Sequence, residues 1–382
     1  MRRVRGPVRW ALLALVSAAS AGCSLFGGSS THEPLAPLPA LQSNARAVNL
    51  WNAATGKASA VALGPMADGD SVYTASDDGQ IAAFDAATGR QRWRVETKVK
   101  LSAGPGAGAN LVLLGTRKGS VLAYDGQGRP LWQTALSSEV VAVPQVRDGV
   151  VVTRTGDGRI YGLDAADGKS KWVQQRSTPV LTLRSHGGVT LANTIAYVAF
   201  PAGKLLALNL SSGGVLWEAT VALPRGSTEL ERITDVIGTP VVDERRVCAV
   251  AFQGRLACFG ATDGKLLWSR EVSSASGLAQ DAANLYLSDD HGVVLAFDKA
   301  SGASVWKQDR LQGRKVSAPA LVGPYLLLGD VQGVVHALSV ATGELAGRVA
   351  TDGSPVTSQP AAAADLALVQ THNGGLFAVS AR

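Results

Sequence analysis

Cysteine is scarce in this chain: three in 382 residues, Cys23, Cys248 and Cys258, with no two adjacent and none in Cys-x-x-Cys spacing. That excludes a disulfide-stapled miniature fold and a thiolate zinc site. The five histidines, His32, His186, His291, His336 and His372, are scattered, so no paired-His metal motif can be drawn. There is no Gly-x-Ser-x-Gly elbow. The longest early apolar run, residues 10–21, has 12 residues, well short of the ~20 a spanning helix needs. Charged residues make up only 17%, but 46% of the chain is hydrophobic, which is too apolar for a disordered protein. A basic excess is also largely missing. The formal charge is +6, yet Arg2, Arg3, Arg5 and Arg9 all precede residue 10 and no acid precedes residue 23; without that leader the chain carries +2. A clustered basic face for nucleic acid is therefore not expected.

The N-terminus reads as an address. A basic segment, a short apolar run and Ser20-Ala21-Gly22-Cys23 form a secretory signal over 1–22. Small residues before a cysteine resemble the bacterial lipobox, which implies that Cys23 becomes the acylated N-terminus; Ser20 stands where Leu is usual. The other reading is an ordinary cleavage site with an incidental cysteine. Ser24 follows Cys23, and in such lipoproteins a residue other than Asp there implies export to the outer membrane. Residues 23–45 are Gly/Ser- and then Pro-rich, the composition of a flexible tether.

Glycine is abundant, 43 residues or about 11% against a usual ~7%, and it keeps time. Gly79 and Trp93, Gly158 and Trp172, Gly203 and Trp217, Gly254 and Trp268, and Gly292 and Trp306 are each 14 apart. Gly119 to Trp132 is 13, because the turn at 125–128 is one residue short; Gly333 reaches Gly347 at 14 with the tryptophan missing. Pro65, Pro105, Pro144, Pro240, Pro319 and Pro360 each lie 14 residues before their glycine, with Val189 and Leu278 in that place in two copies. Both rulers count eight. Within a copy, Ser71-Val-Tyr-Thr-Ala, a Asp77-Asp78-Gly79 hairpin turn, Gln80-Ile-Ala-Ala-Phe-Asp, a second turn at 86–89 and the alternating Gln91-Arg-Trp-Arg read as strands, with a fourth around the proline. Four strands in ~40 residues, repeated, predict an all-β, eight-bladed propeller of four-stranded antiparallel blades over residues 46–382. The last copy lacks a tryptophan-bearing strand of its own, and Ala47-Val-Asn-Leu-Trp51 is expected to close it, removing two open edges.

The repeated residues need no chemistry to explain them. The turn glycine supplies positive φ, the aspartate bonds turn amides, and Trp51, Trp93, Trp132, Trp172, Trp217, Trp268 and Trp306 are plates with one donor each, suited to docking one blade on the next. Gly104-Pro-Gly-Ala-Gly108 precedes a strand rather than a helix, which excludes a dinucleotide loop. The acids at 68–70 and 77–78 lack the further ligands of a calcium loop. Cys248 and Cys258 flank a hairpin turn; a cross-strand disulfide and two reduced thiols both remain open, because register sets the Cβ distance.

Spare residues are concentrated in two places. From each tryptophan position to the next proline position the chain takes 14, 12, 12, 17, 23, 10, 13 and 13 residues. The two longest, 172–189 and 217–240, flank one blade and emerge on one rim, where a rigid scaffold presents binding loops. The first carries Leu181, Leu183 and Arg184; the second carries Glu229, Arg232 and Asp235. An apolar–arginine patch beside an acidic one is expected to bind protein.

The pattern A-x-D-x-x-T-G-x-x-x-W resembles the repeat of pyrroloquinoline quinone dehydrogenases and their non-enzymatic relatives, across residues 47–382. The quinone-dependent members are longer and carry a calcium site, a catalytic Asp and commonly vicinal cysteines; this chain has no adjacent cysteines. With its exported N-terminus and eight bare repeats, it resembles the BamB family, propeller lipoproteins of the outer-membrane β-barrel assembly machinery. Residues 226–235 (GSTELERITD) and Leu181-Thr-Leu-Arg184 are similar to family segments in the corresponding loops. The resemblance implies that these loops meet a periplasmic POTRA domain of BamA, with Leu181, Leu183, Arg184 and Asp235 carried over; where the family often has a second Asp, Ile237 stands here. It implies no catalysis and no cofactor. It implies a lipid-anchored location on the periplasmic face of the outer membrane, contact with the other assembly lipoproteins, and offering of sheet edges to unfolded barrel clients. The competing expectations are a periplasmic quinone-dependent oxidoreductase-like propeller and a ligand-binding propeller.

Overall fold

A computed structural model describes residues 35–41, 47–59, 63–179, 181–183 and 187–382. Their strands form eight four-stranded antiparallel sheets. In chain order the blades span 66–96, 101–135, 145–175, 189–220, 241–271, 278–308 and 320–350; the eighth joins 361–381 to the N-terminal strand Ala47–Ala54. The residue pattern explains the layering. The middle strands Ser71–Ala75 and Gln80–Asp85 are buried along nearly their whole length, whereas the outer strand Gln91–Glu96 alternates, because both faces of an inner strand meet neighbouring blades. The core therefore lies between blades: Tyr73, Ile81 and Ala83 of blade 1 pack with Val112, Leu114 and Leu122 of blade 2. In five copies the proline stands just before its inner strand; only Pro105 lies within one, Leu101–Gly108, after a cis peptide bond. The expected strand around each proline is thus shorter, since proline cannot donate to the ladder.

The tryptophans and turn glycines are two halves of one joint. Trp172 donates from Nε1 to Leu210 O at 2.9 Å, and its ring lies against Gly213, where a Cβ would come within 2.5 Å of the indole. The pattern repeats around the ring: Trp51 donates to Ala86 O, Trp93 to Gly126 O, Trp132 to Ala165 O, Trp217 to Ala261 O, Trp268 to Lys299 O and Trp306 to Val340 O, at 2.8–3.1 Å. Each indole of one blade caps the turn between the third and fourth strands of the next. Those turns keep φ near +70° at Gly89, Gly213 and Gly343, which L side chains avoid.

One joint lacks both halves. Gly347 occupies the tryptophan position of blade 7, paired with Ala337 as Trp306 is with Ala296. The blade it faces has no turn after its third strand, because Gly375–Ala381 is followed in space by Ala47–Ala54 from the other chain end. With no turn to cap, an indole has nothing to bond. That closing pair runs from Ala47 opposite Ala381 to Ala54 opposite Gly375, so the closing strand reaches three residues beyond the expected Trp51.

Antiparallel order places the connections between blades, and the hairpin between the second and third strands, on one rim. Both long inserts emerge there. Of the stretch 23–45 expected to be a flexible tether, the described residues 36–41 are bonded to the ring, Ala36, Pro39 and Ala40 each giving a carbonyl to an arginine. Cys23 lies outside the described residues. The cysteine pair is resolved by register: Cys248 is directly opposite Cys258, and the two form a buried disulfide with Cα atoms 4.1 Å apart.

Candidate protein-binding site

The connection 217–240 is built outward from its own backbone. Thr228 and Glu231 form a reciprocal cap: Glu231 N–H donates to Thr228 Oγ1 at 3.2 Å, and Glu231 Oε2 accepts from Ser227 and Thr228 N–H at 2.8 and 3.0 Å. This is the S/T-x-x-E device that starts a helical turn; Arg232 N–H then reaches Thr228 O at 3.2 Å. Those amides hold the Glu231 carboxyl below its ordinary pKa. Glu229 and Arg232 point from this turn into solvent, and so does Leu230, 67% exposed. Leu223 on the approach is 58% exposed.

After the turn the chain dives inward, and Asp235 with it. Asp235 is 1% exposed. It accepts from Leu183 N–H of the other insert at 2.8 Å and from Ala202 N–H of blade 4 at 3.0 Å. The expectation of an exposed acidic contact at Asp235 is corrected here: the carboxylate ties the two inserts and blade 4 together from beneath. Its counter-charge is Arg154, the last residue of Val150–Arg154 in blade 3, itself buried and stacked 5.4 Å over the Phe200 ring. Burial pushes the Asp235 carboxyl above its ordinary value, against the two amide bonds and the Arg154 charge. Burial likewise lowers Arg154 to about 10, opposed by Asp235.

The inserts meet closely enough to demand glycine. A Cβ on Gly187 would lie 2.9 Å from Val236 O, and one on Gly188 would lie 2.2 Å from Thr239 Oγ1; Gly188 N–H donates to Gly238 O at 2.8 Å. Of the expected contact residues, Leu181 is 40% exposed and Leu183 half-buried. Arg184 lies outside the described residues. Ile237 faces inward and lines the central channel. Two contributors were not singled out from sequence. Leu230 is signalled by a leucine between two glutamates, and Arg154 by a lone cation ending a valine-rich strand. Beside the first insert a cavity of about 620 Å3 is lined by Pro179, Phe200, Pro201 and Leu206. Glu218 lies there 3.6 Å from Arg176 and 3.3 Å from Lys204.

The central channel is of another kind. It encloses about 490 Å3, and its lining is glycine, proline, small apolar and hydroxyl or amide side chains, with Arg147 as the one ionisable lining residue described. Among the described residues no group of three or more His, Cys, Asp or Glu could hold a metal ion. That donor set does not fit a quinone–calcium centre, which needs carboxylates.

Comparison with known proteins gives the family. The family described as outer membrane protein assembly factor BamB matches residues 40–93, 77–308 and 291–382. The chain belongs to the BamB family. It is 40% identical to outer membrane protein assembly factor BamB of Bordetella pertussis, over 95% of this chain and 94% of that one. To the protein of the same name from Nitrosomonas eutropha it is 43% identical, over 90% and 85% of the two chains. The crystal structure of BamB from Moraxella catarrhalis superposes with a TM-score of 0.80 at 25% identity, covering 87% of this chain and 99% of that one. Quinohemoprotein alcohol dehydrogenase from Comamonas testosteroni has a TM-score of 0.70 at 13% identity, covering 87% of this chain and 76% of its own, which shows a shared propeller fold alone.

Proposed function

We propose that this protein is a non-enzymatic scaffold of the outer-membrane β-barrel assembly machinery, anchored by a lipid on Cys23 at the periplasmic face. Its relatives are named as assembly factors, and the rim of blade 4 is where it binds BamA. The observation that carries the reading is the Asp235 tie. A buried carboxylate bonded to Leu183 N–H and Ala202 N–H makes two inserts one preorganised surface, which lowers the ordering cost of association. That surface offers Leu181, Leu183, Leu230, Glu229 and Arg232, with Arg184 adjacent in sequence.

Clients have a separate place to dock. The outermost strands of blades 4 and 5, Val215–Thr220 and Leu266–Glu271, are sheet edges. They expose Val215, Leu216, Leu266 and Leu267 by 40–56%. Open edges beside apolar side chains accept an extended strand by backbone pairing.

The test is a pull-down of the periplasmic region of BamA. Leu183→Ala and Arg184→Glu are expected to weaken capture, each by a hot-spot loss of about 2 kcal/mol, with the propeller still folded. Unchanged capture by both variants removes the interface assignment, and no capture by the parent protein removes the partner.

A further inference from the structure

The seam between blades 6 and 7 holds a polar cluster that the binding rim does not use. Arg314, in the connection 309–319, is 1% exposed. Its Nε donates to Asp330 Oδ2 at 2.7 Å, and its Nη2 lies 2.6 Å from the same oxygen and 2.8 Å from Gln332 Oε1. His336 Nε2 is bonded to Asp330 Oδ2 from the other side at 2.8 Å. The remaining guanidinium nitrogen, Nη1, donates outward to Ala36 O at 2.7 Å. Two further arginines continue the line: Arg348 Nη1 donates to Pro39 O at 2.8 Å and Arg310 Nη2 to Ala40 O at 2.7 Å. The segment they hold is Ala36-Pro-Leu-Pro-Ala40. Proline has no N–H and its neighbours are held extended, so such a segment turns its carbonyls outward as acceptors, and guanidinium groups are the matching donors.

We propose that Arg310, Arg314 and Arg348 form a clamp for the chain's own proline-rich segment Ala36–Ala40, and that the clamp fixes where the N-terminal tether leaves the propeller. The clamp is a built site. Asp330 and Gln332 hold the guanidinium by Nε and Nη2 and leave Nη1 aimed at the segment, so the donor is oriented before the segment docks, which lowers the ordering cost of docking. Arg314 and the 330–333 hairpin stand on the rim that carries the two inserts, with blades 5 and 6 between clamp and insert. The consequence rests on the reading of Cys23 as the anchor. Thirteen residues separate Cys23 from Ala36 and twenty-four separate it from Ala47. A closed clamp therefore limits the tether to about 45 Å, and an open one to about 80 Å. Closing it keeps the insert-bearing rim toward the membrane in which the partner sits.

The clamp and its consequence are tested separately on the full-length, matured protein. A nitroxide is placed at Leu38→Cys, an exposed position of the segment, and its mobility is read by electron paramagnetic resonance with and without Arg310→Ala and Arg348→Ala. An immobilised label that becomes mobile in the double variant, with the unfolding temperature of the ring unchanged, is the expected result. A label equally mobile in both, or equally immobilised in both, overturns the clamp. In vesicles bearing an acceptor lipid, energy transfer from a dye at Glu229→Cys is expected to fall several-fold in the double variant. Equal transfer overturns the reach argument while leaving the clamp. Failure to enter the membrane, with Cys23 free to react, removes the anchor reading and not the clamp.

Discussion

Replacing Asp235 tests the central structural argument directly. In Asp235→Ala two amides, Leu183 N–H and Ala202 N–H, lose acceptors that now lie at 2.8 and 3.0 Å, and buried Arg154 loses its facing carboxylate. Hydrogen bonds to a charged group are each worth about 1.5–3 kcal/mol, and removing one partner of a buried pair costs about 3–5 kcal/mol. These describe the same atoms and do not add, so the expected local loss is about 3–5 kcal/mol. It falls on the junction of the inserts rather than on the whole ring, because each blade buries its core against its neighbours. The assay is amide hydrogen exchange at Leu183, which should accelerate by about two to three and a half powers of ten, at about 1.4 kcal/mol per tenfold change. Asp235→Asn keeps an acceptor and should fall between. Adding Arg154→Met should recover part of the loss, giving a coupling of about 0.5–3 kcal/mol. The pH dependence has a fixed sign. The folded carboxyl titrates above 3.8, so the folded state holds its proton longer, and stability falls as pH rises from 3.8 through the folded value; Asp235→Asn abolishes that slope. Exchange at Leu183 unchanged in Asp235→Ala would refute the tie.

Two further outcomes follow from the scaffold. Gly213→Ala would put a Cβ 2.5 Å from the Trp172 ring at φ +70°; it is expected to destabilise by about 1–3 kcal/mol, read as a lowered urea midpoint, whereas Gly69→Ala has nothing within 4 Å of its Cβ and carries only the backbone strain. Cys248 and Cys258 close a short loop, so replacing both with Ala is expected to cost about 3 kcal/mol, and non-reduced peptide mass spectrometry should find the bridged pair; free thiols in the native protein would contradict the register.

Periodicity carried most of the architecture. The count of eight, the four-stranded blade and the closure by Ala47–Trp51 all follow from glycine, proline and tryptophan spacings, because a propeller blade is built from local hairpins and each residue's role recurs at one interval. The same locality exposed the inserts as departures from the interval. Chemistry at a distance was less legible. Thr228 and Glu231 announce their cap at i, i+3, but Asp235 looks in sequence like any acid in a polar loop. Its burial depends on Leu183, Ala202 and Arg154, which arrive from three other blades or inserts.

Spacing alone therefore determined the ring, the joints between its sheets and the two places where the chain departs from the repeat, since short-range pairing recurs wherever the same residues recur. Only the closed tertiary structure decided which of the spare side chains face water. It turned Asp235 from a surface charge into an internal tie, opposed Cys248 to Cys258, and gave the missing tryptophan at 347 its reason, since the circle is sealed there by two chain ends instead of a turn. It also brought three arginines, from an inter-blade connection and an outer strand, onto one stretch of proline-rich chain. Those outcomes depend on contacts between residues as far apart as Ala47 and Ala381, and no local pattern encodes which distant surface will come to lie against it.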